Sequence, residues 1–206
     1  MTAFAATYLS ETQALVAALD RDEIERLAAG LAEVRDRGGR LFILGVGGSA
    51  GHAGHAVNDF RKLCAFEAYA PTDNVSELTA RVNDEGWETS FSAWLAGSRL
   101  SGADCVLVFS VGGGSSEAGI STNLVRAVEA AQAVGAPVFG IVGRDGGFTR
   151  EAAAACVLVP PLFADRVTPH TEGLCAVIWH LLVSHPRLQR AGTKWESTGA
   201  LARQRS

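Results

Sequence analysis

None of the glycine loops in this chain ends in Gly-Lys-Ser or Gly-Lys-Thr, so the lysine that reaches a terminal nucleotide phosphate is missing and nucleoside-triphosphate hydrolysis is disfavoured. There is no Cys-x-x-Cys pair either. The four cysteines, Cys64, Cys105, Cys156 and Cys175, are far apart and mostly sit in apolar runs, which reads as reduced packing residues rather than a disulfide framework or a thiol centre. A basic stripe is also lacking: the formal charge is -4 and the Lys and Arg residues are scattered, which disfavours nucleic acid as a direct ligand. The first residues, Met1-Thr2-Ala3-Phe4-Ala5-Ala6-Thr7, have no basic start, and acids follow at Glu11, Asp20 and Glu23. Neither a signal peptide nor a membrane span is expected, and the chain is assigned to the cytoplasm.

What is present is enough apolar material for a core, 48% of 206 residues, which suits one domain. Helical periodicity runs through residues 3–37 on Leu15, Val16, Leu19, Ile24, Leu27 and Leu31, with Asp20 placed to cap a second helix. Apolar runs at residues 40–44, 105–109, 137–142 and 156–159 read as strands buried on both faces, with a weaker strand at 64–69. Helices are expected between them. Residues 80–87 read as a polar turn before a helix bearing Phe91, Trp94 and Leu95. A closing helix over 169–184 would take Thr168 as its cap and Pro169 in its first turn. From Arg187 a polar tail is expected to fray. Alternating strands and helices predict an α/β fold with a doubly wound, mostly parallel five-stranded sheet, and ligands at the carboxyl ends of its strands. The division is 1–37 N-terminal helices, 38–184 core and 185–206 tail.

Chemistry concentrates after the first strand, in Gly45-Val46-Gly47-Gly48-Ser49-Ala50-Gly51-His52-Ala53-Gly54-His55-Ala56-Val57-Asn58-Asp59. The glycines permit close approach of backbone to a ligand, Ser49 is placed to cap the following helix, and the helix N-terminus favours an anion. His52, His55 and Asp59 are spaced to share one helix face, suited to acid/base work or metal ligation. A second glycine/serine loop, Ser110-Val111-Gly112-Gly113-Gly114-Ser115-Ser116, follows another buried strand. The first loop also fits a variant of the dinucleotide fingerprint, with Glu67 near the spacing of a ribose-binding acid.

The order of Gly45 to Ser49, His55 with Asp59, Asn83 to Trp87, Ser110 to Ser115, Gly143-Arg144-Asp145-Gly146-Gly147, Ala164-Asp165-Arg166 and Val177-Ile178-Trp179-His180 resembles the SIS (sugar isomerase) family over residues 8–184, and within it the phosphoheptose isomerases. That resemblance implies isomerisation of sedoheptulose 7-phosphate to D-glycero-D-manno-heptose 7-phosphate in a homotetramer. It implies a substrate pocket on Gly47, Gly48, Ser49, Asp84, Ser110, Gly112, Gly113 and Ser115. It further implies a zinc set of His55, Asp59, Glu172 and His180, with Asp59 and His180 as the catalytic pair and His52 the nearest substitute ligand. Several positions depart from the family pattern: Val46 stands for Asn, Val111 and Gly112 for Thr and Ser, Asp59 for Glu and Glu172 for Gln. Residues 116–122 look inserted. Glu172 and His180 on one helix would lie about 12 Å apart along its axis, so either Glu172 precedes the regular helix or two chains build the site. A non-catalytic SIS module that binds a sugar phosphate as sensor or scaffold is the other reading of the same residues.

Overall fold

Residues 3–197 are described by the structure, a computed structural model. Two helices open it, α1 (Phe4–Ala17) and α2 (Arg21–Asp36), and Asp20 separates them by accepting the Glu23 N–H at 3.0 Å, as its position predicts. The strands β1 (Leu41–Leu44), β2 (Ala68–Tyr69), β3 (Cys105–Ser110), β4 (Val138–Val142) and β5 (Ala155–Leu158) form one sheet in the order β2-β1-β3-β4-β5, every pair parallel. Side chains alternate between two cores. Leu41, Ile43, Leu107, Phe109 and Ile141 face a core shared with α2, α3 (Gly48–Cys64) and α8 (Val167–Ser184). Phe42, Leu44, Val106, Val108 and Val138 face the other, closed by α5 (Ser90–Gly97) and α6 (Thr122–Ala133). Burial on both faces is why these strands read as unbroken apolar runs. The remaining helices are α4 (Val75–Glu85), α7 (Gly147–Ala152) and α9 (Lys194–Ser197), and Ala164–Arg166 form a single 3-10 turn. Among the described residues no helix is long and apolar enough to cross a membrane.

Four local expectations are corrected. Residues 80–85 belong to α4: Asn74 accepts the Glu77 N–H at 3.2 Å, and Arg81 bridges Glu77 and Glu85 at 2.8 and 3.4 Å. No α4 residue is buried, so the helix rests on its cap and charge pairs and carries no apolar stripe that would betray it. The weak strand shrinks to Ala68–Tyr69, because Cys64 ends α3 and Ala65 turns the chain in the left-handed region at φ 52°. Helix α8 starts at Val167 without a side-chain cap, straight out of the 3-10 turn, so Thr168 is not its cap. The segment after Arg187 is anchored at first. Leu188 is fully buried, Arg35 donates to the Arg187 and Leu188 carbonyls, and the Arg190 and Ala191 N–H groups close the C-terminus of α3 on the Leu63 carbonyl at 2.7 and 3.0 Å. Residues 198–206 of the expected tail lie outside the described part. All four cysteines are buried and unpaired, and burial pushes the Cys64 and Cys156 thiols up to about 11 and Cys175 to about 12, so they pack as neutral groups.

Helix α1 is held largely through one buried acid. Arg166 donates to both oxygens of Glu11 at 2.8 and 2.7 Å, His170 Nε2 lies 2.9 Å from Oε2, and Tyr8 stacks on the His170 ring. The Arg166 hydrogen bond above all, then that of His170, lowers the Glu11 carboxyl from 4.5 to about 2 against the opposing effect of burial. A carboxyl depressed in the folded state contributes stability that is complete above its unfolded value and lost as pH falls through the folded one. Stability is therefore expected to drop as pH falls from about 4.5 to about 2. In Glu11→Gln that acid limb should be reduced, and urea unfolding of both proteins across this pH range checks it.

Candidate functional site

The chain order 2-1-3-4-5 reverses direction between β1 and β3, and both glycine loops leave the sheet at this crossover. The first is held by close contact: a Cβ on Gly45 would meet the Ser49 carbonyl oxygen at 2.4 Å. Helix α3 starts with Gly47 at φ 60°, a cap conformation that favours glycine, and no side chain caps it. Ser49 is buried inside the first turn, which corrects its expected role as the cap. Val46, where the family pattern has Asn, packs against the apolar core.

Further along α3, His55 and Asp59 meet His180 of α8, one ligand atom from each lying within 4.8 Å of the others. Trp179, fully buried, is the platform: its ring lies 3.5 Å from the stacked His180 ring and 4.7 Å from His55 edge-on. The side chains divide their hydrogen bonds. His180 Nδ1 lies 2.7 Å from the Ala176 carbonyl, which accepts only, so Nδ1 carries the proton and Nε2 presents its lone pair outward. Asn58 donates to Asp59 Oδ1 at 2.8 Å, leaving Oδ2 3.6 Å from His55 Nε2. Two imidazoles and a carboxylate with an open side suit a divalent zinc ion, and Nδ1-to-carbonyl orientation is the usual outer support of such a histidine. His52, half-buried, is not part of the cluster.

Glu172 is elsewhere. It lies within the regular part of α8, and a Cβ on Gly48 would stand 2.5 Å from its Oε1, so its carboxylate packs on the first turn of α3. Gly48 beside Glu172 and His55 beside His180 mean that α3 and α8 run side by side in the same direction, with Glu172 about 12 Å up the axis from His180. Within one chain it is therefore not a fourth ligand. The half-buried Glu172 carboxylate makes no hydrogen bond or ion pair among the described residues.

The second loop is tied to the β4–α7 connection. Ser110 Oγ accepts the Gly113 N–H at 3.0 Å, the Gly113 carbonyl accepts from Thr149 N and Oγ1, and Gly143 N–H donates to the Ser110 and Val111 carbonyls. Ser115 spends its oxygen on the Ala118 N–H, closing the 115–120 turn of the inserted segment. Two cavities open here. One, of about 710 Å³, lies between Val111, Arg144 and the start of α8; the other, about 540 Å³, lies between Gly112, Ser115 and Phe148. Asp84 is exposed on α4 and accepts from Asn83 at 2.7 Å. Glu67 immediately precedes β2, where its carbonyl accepts the Leu41 N–H at the start of β1. That is the edge of the sheet opposite the glycine loops, so it cannot serve a ribose bound at Gly45–Gly48, and the dinucleotide reading fails. The sequence reading did not single out Trp179 or the Glu11 network; a Trp beside a candidate ligand and an acid four residues from Leu15 were the available signals.

A parallel sheet with paired glycine loops at its crossover defines a class of α/β proteins, and the SIS-domain family model matches residues 7–143. The chain belongs to this SIS family. It is 31% identical over 190 residues to a phosphoheptose isomerase of Trichlorobacter lovleyi, covering 88% of this chain and 91% of that protein. It is 34% identical over 189 residues to one of Burkholderia pseudomallei, with 86% and 87% covered. Solved structures of phosphoheptose isomerases from Neisseria gonorrhoeae and Francisella tularensis share the fold, with TM-scores of 0.72 and 0.74 at 24% and 22% identity, over 87% and 89% of this chain and 95% and 97% of those chains.

Proposed function

We propose that this chain, as one SIS domain, is an aldose–ketose isomerase converting sedoheptulose 7-phosphate to D-glycero-D-manno-heptose 7-phosphate in the cytoplasm. The observation that carries this is the His55–Asp59–His180 cluster, an acid/base set that a sensor or scaffold would not need, in a chain related to phosphoheptose isomerases. The reaction moves a proton between C1 and C2 through an enediol and needs a base for carbon and an acid for oxygen. Asp59 and His180 are that pair: the Asp59 carboxylate accepts, and His180 Nε2, fixed by the Nδ1 contact to Ala176, exchanges a proton with the substrate oxygens. Zinc held by His55, Asp59 and His180 would polarise the carbonyl. The Gly47–Ser49 turn, Asp84, and Ser110, Gly112, Gly113 and Ser115 form the substrate pocket in this reading.

The cluster lies open on the outer face of α8, beside the exposed Val177 and Leu181, and α1 exposes Phe4, Leu9 and Val16. These surfaces support a homotetramer with its sites at subunit interfaces, where Glu172 of one copy would come near the cluster of another. Proton NMR of the protein with sedoheptulose 7-phosphate in deuterated water is expected to show new aldose signals, with deuterium at the adjacent carbon. A chelator should abolish them and zinc restore them. Neither conversion nor exchange with zinc present would refute the assignment.

A further inference from the structure

We propose that Arg144 is the cation that binds the substrate's phosphate, in the cavity beside Val111 and Thr168, and that the first glycine turn takes the sugar rather than the phosphate. The two loops differ in charge. At Gly48 the α3 N-terminus already faces the Glu172 carboxylate, so a phosphate placed there meets a like charge at close range. At the second loop the balance is reversed. Gly143 N–H donates to the Ser110 and Val111 carbonyls at 3.2 Å each, which sets Arg144 against the loop, and a Cβ on Gly112 would lie 3.9 Å from Arg144 Cδ. Arg40, Arg81, Arg126 and Arg166 each hold a carboxylate, whereas the exposed Arg144 guanidinium has no hydrogen-bond or ion-pair partner among the described residues. Its five donors suit phosphate oxygens.

The backbone points the same way. Arg144 sits at φ 52°, a conformation that glycine adopts freely and arginine does not, so packing of the loop holds the side chain at the lip of both cavities. Of the two, the cavity of about 710 Å³ is the one suited to an anion: its only charged lining groups are Arg144 and Asp145, and Asp145 Oδ1 accepts the Gly147 N–H at 3.2 Å. The neighbouring cavity adds Glu117 and Glu151 and disfavours one. The loop's own side chains offer little in compensation. Val111 has no donor, and the Ser110 and Ser115 oxygens already accept backbone N–H groups.

The identity of the ligand as a phosphorylated sugar rests on the proposed isomerase reading; the anion site itself is tested apart from it. Inorganic phosphate is titrated calorimetrically into the full chain and into Arg144→Gln, Arg144→Gly and, as a charge control, Arg126→Gln. Both Arg144 variants should bind phosphate at least about tenfold more weakly, and Arg126→Gln should match the parent. Arg144→Gly separates a structural role from an electrostatic one, because glycine relieves the left-handed backbone while deleting the cation; its unfolding temperature should equal or exceed the parent's. With the ketose phosphate as substrate, both variants should raise KM more than they lower kcat. Phosphate binding by Arg144→Gly within about twofold of the parent, or no phosphate binding by the parent at tens of millimolar, overturns the proposal. Arg144-dependent phosphate binding without ketose turnover leaves it standing and removes the isomerase reading instead.

Discussion

Asp59→Ala and His180→Ala are each expected to lower turnover of sedoheptulose 7-phosphate by about a thousandfold or more, the range associated with loss of a positioned acid or base. The expectation is large because few groups are available to substitute. His52 is outside the cluster, and Glu172 is about 12 Å along the helix axis from His180 in the same chain. It is also specific, because the fold should survive: His180 is exposed, Asp59 is half-buried, and neither contributes to the apolar cores. Circular dichroism should be unchanged in both variants while zinc binding falls. Asp59→Asn is the sharper form, since it keeps the size and removes the charge. Full activity in either alanine variant would mean that the proton transfer is carried by another group.

Gly113→Ala should destabilise the protein by about 3 kcal/mol or more and abolish ligand binding with it. A Cβ there would stand 1.8 Å from the Gly146 carbonyl oxygen, backbone against backbone, with Gly113 itself at φ 70°. The loop cannot easily yield, because Gly113 donates to Ser110 Oγ and accepts from Thr149 through both its N–H and its hydroxyl. Gly119 supplies the comparison. It has a similar φ of 64° but nothing within 4 Å of a Cβ, so Gly119→Ala should cost only about 1 kcal/mol. Denaturant unfolding of the two variants measures the difference, and equal costs would show that crowding between the two loops contributes nothing.

Strands β1, β3 and β4 were legible because each is buried on both faces and so appears as an unbroken apolar run. Helix α4 was not, since it buries nothing and its stabilising pairs, Asn74 with Glu77 and Arg81 with Glu77 and Glu85, look like any polar turn when read in line. The anchored segment after Arg187 was hidden for a related reason: its partners, Arg35 and Leu63, are more than 100 residues away. Arg144 stood in a quoted glycine motif, yet no local pattern reveals an arginine that lacks a partner.

The sequence by itself determined the α/β class, the two glycine loops at strand ends, and the sharing of one helix face by His55 and Asp59, because each of these depends on spacing within a single element. Only the tertiary structure decided which distant residues join them. The side-by-side run of α3 and α8 brings His180 to His55 and Asp59 while sending Glu172 to Gly48, and the packing of the β4–α7 turn on the β3 loop sets Arg144 beside Gly112. Periodicity determines which side chains share a face, but the neighbour that face meets depends on how separate elements pack, and that is written in contacts between residues far apart in the chain.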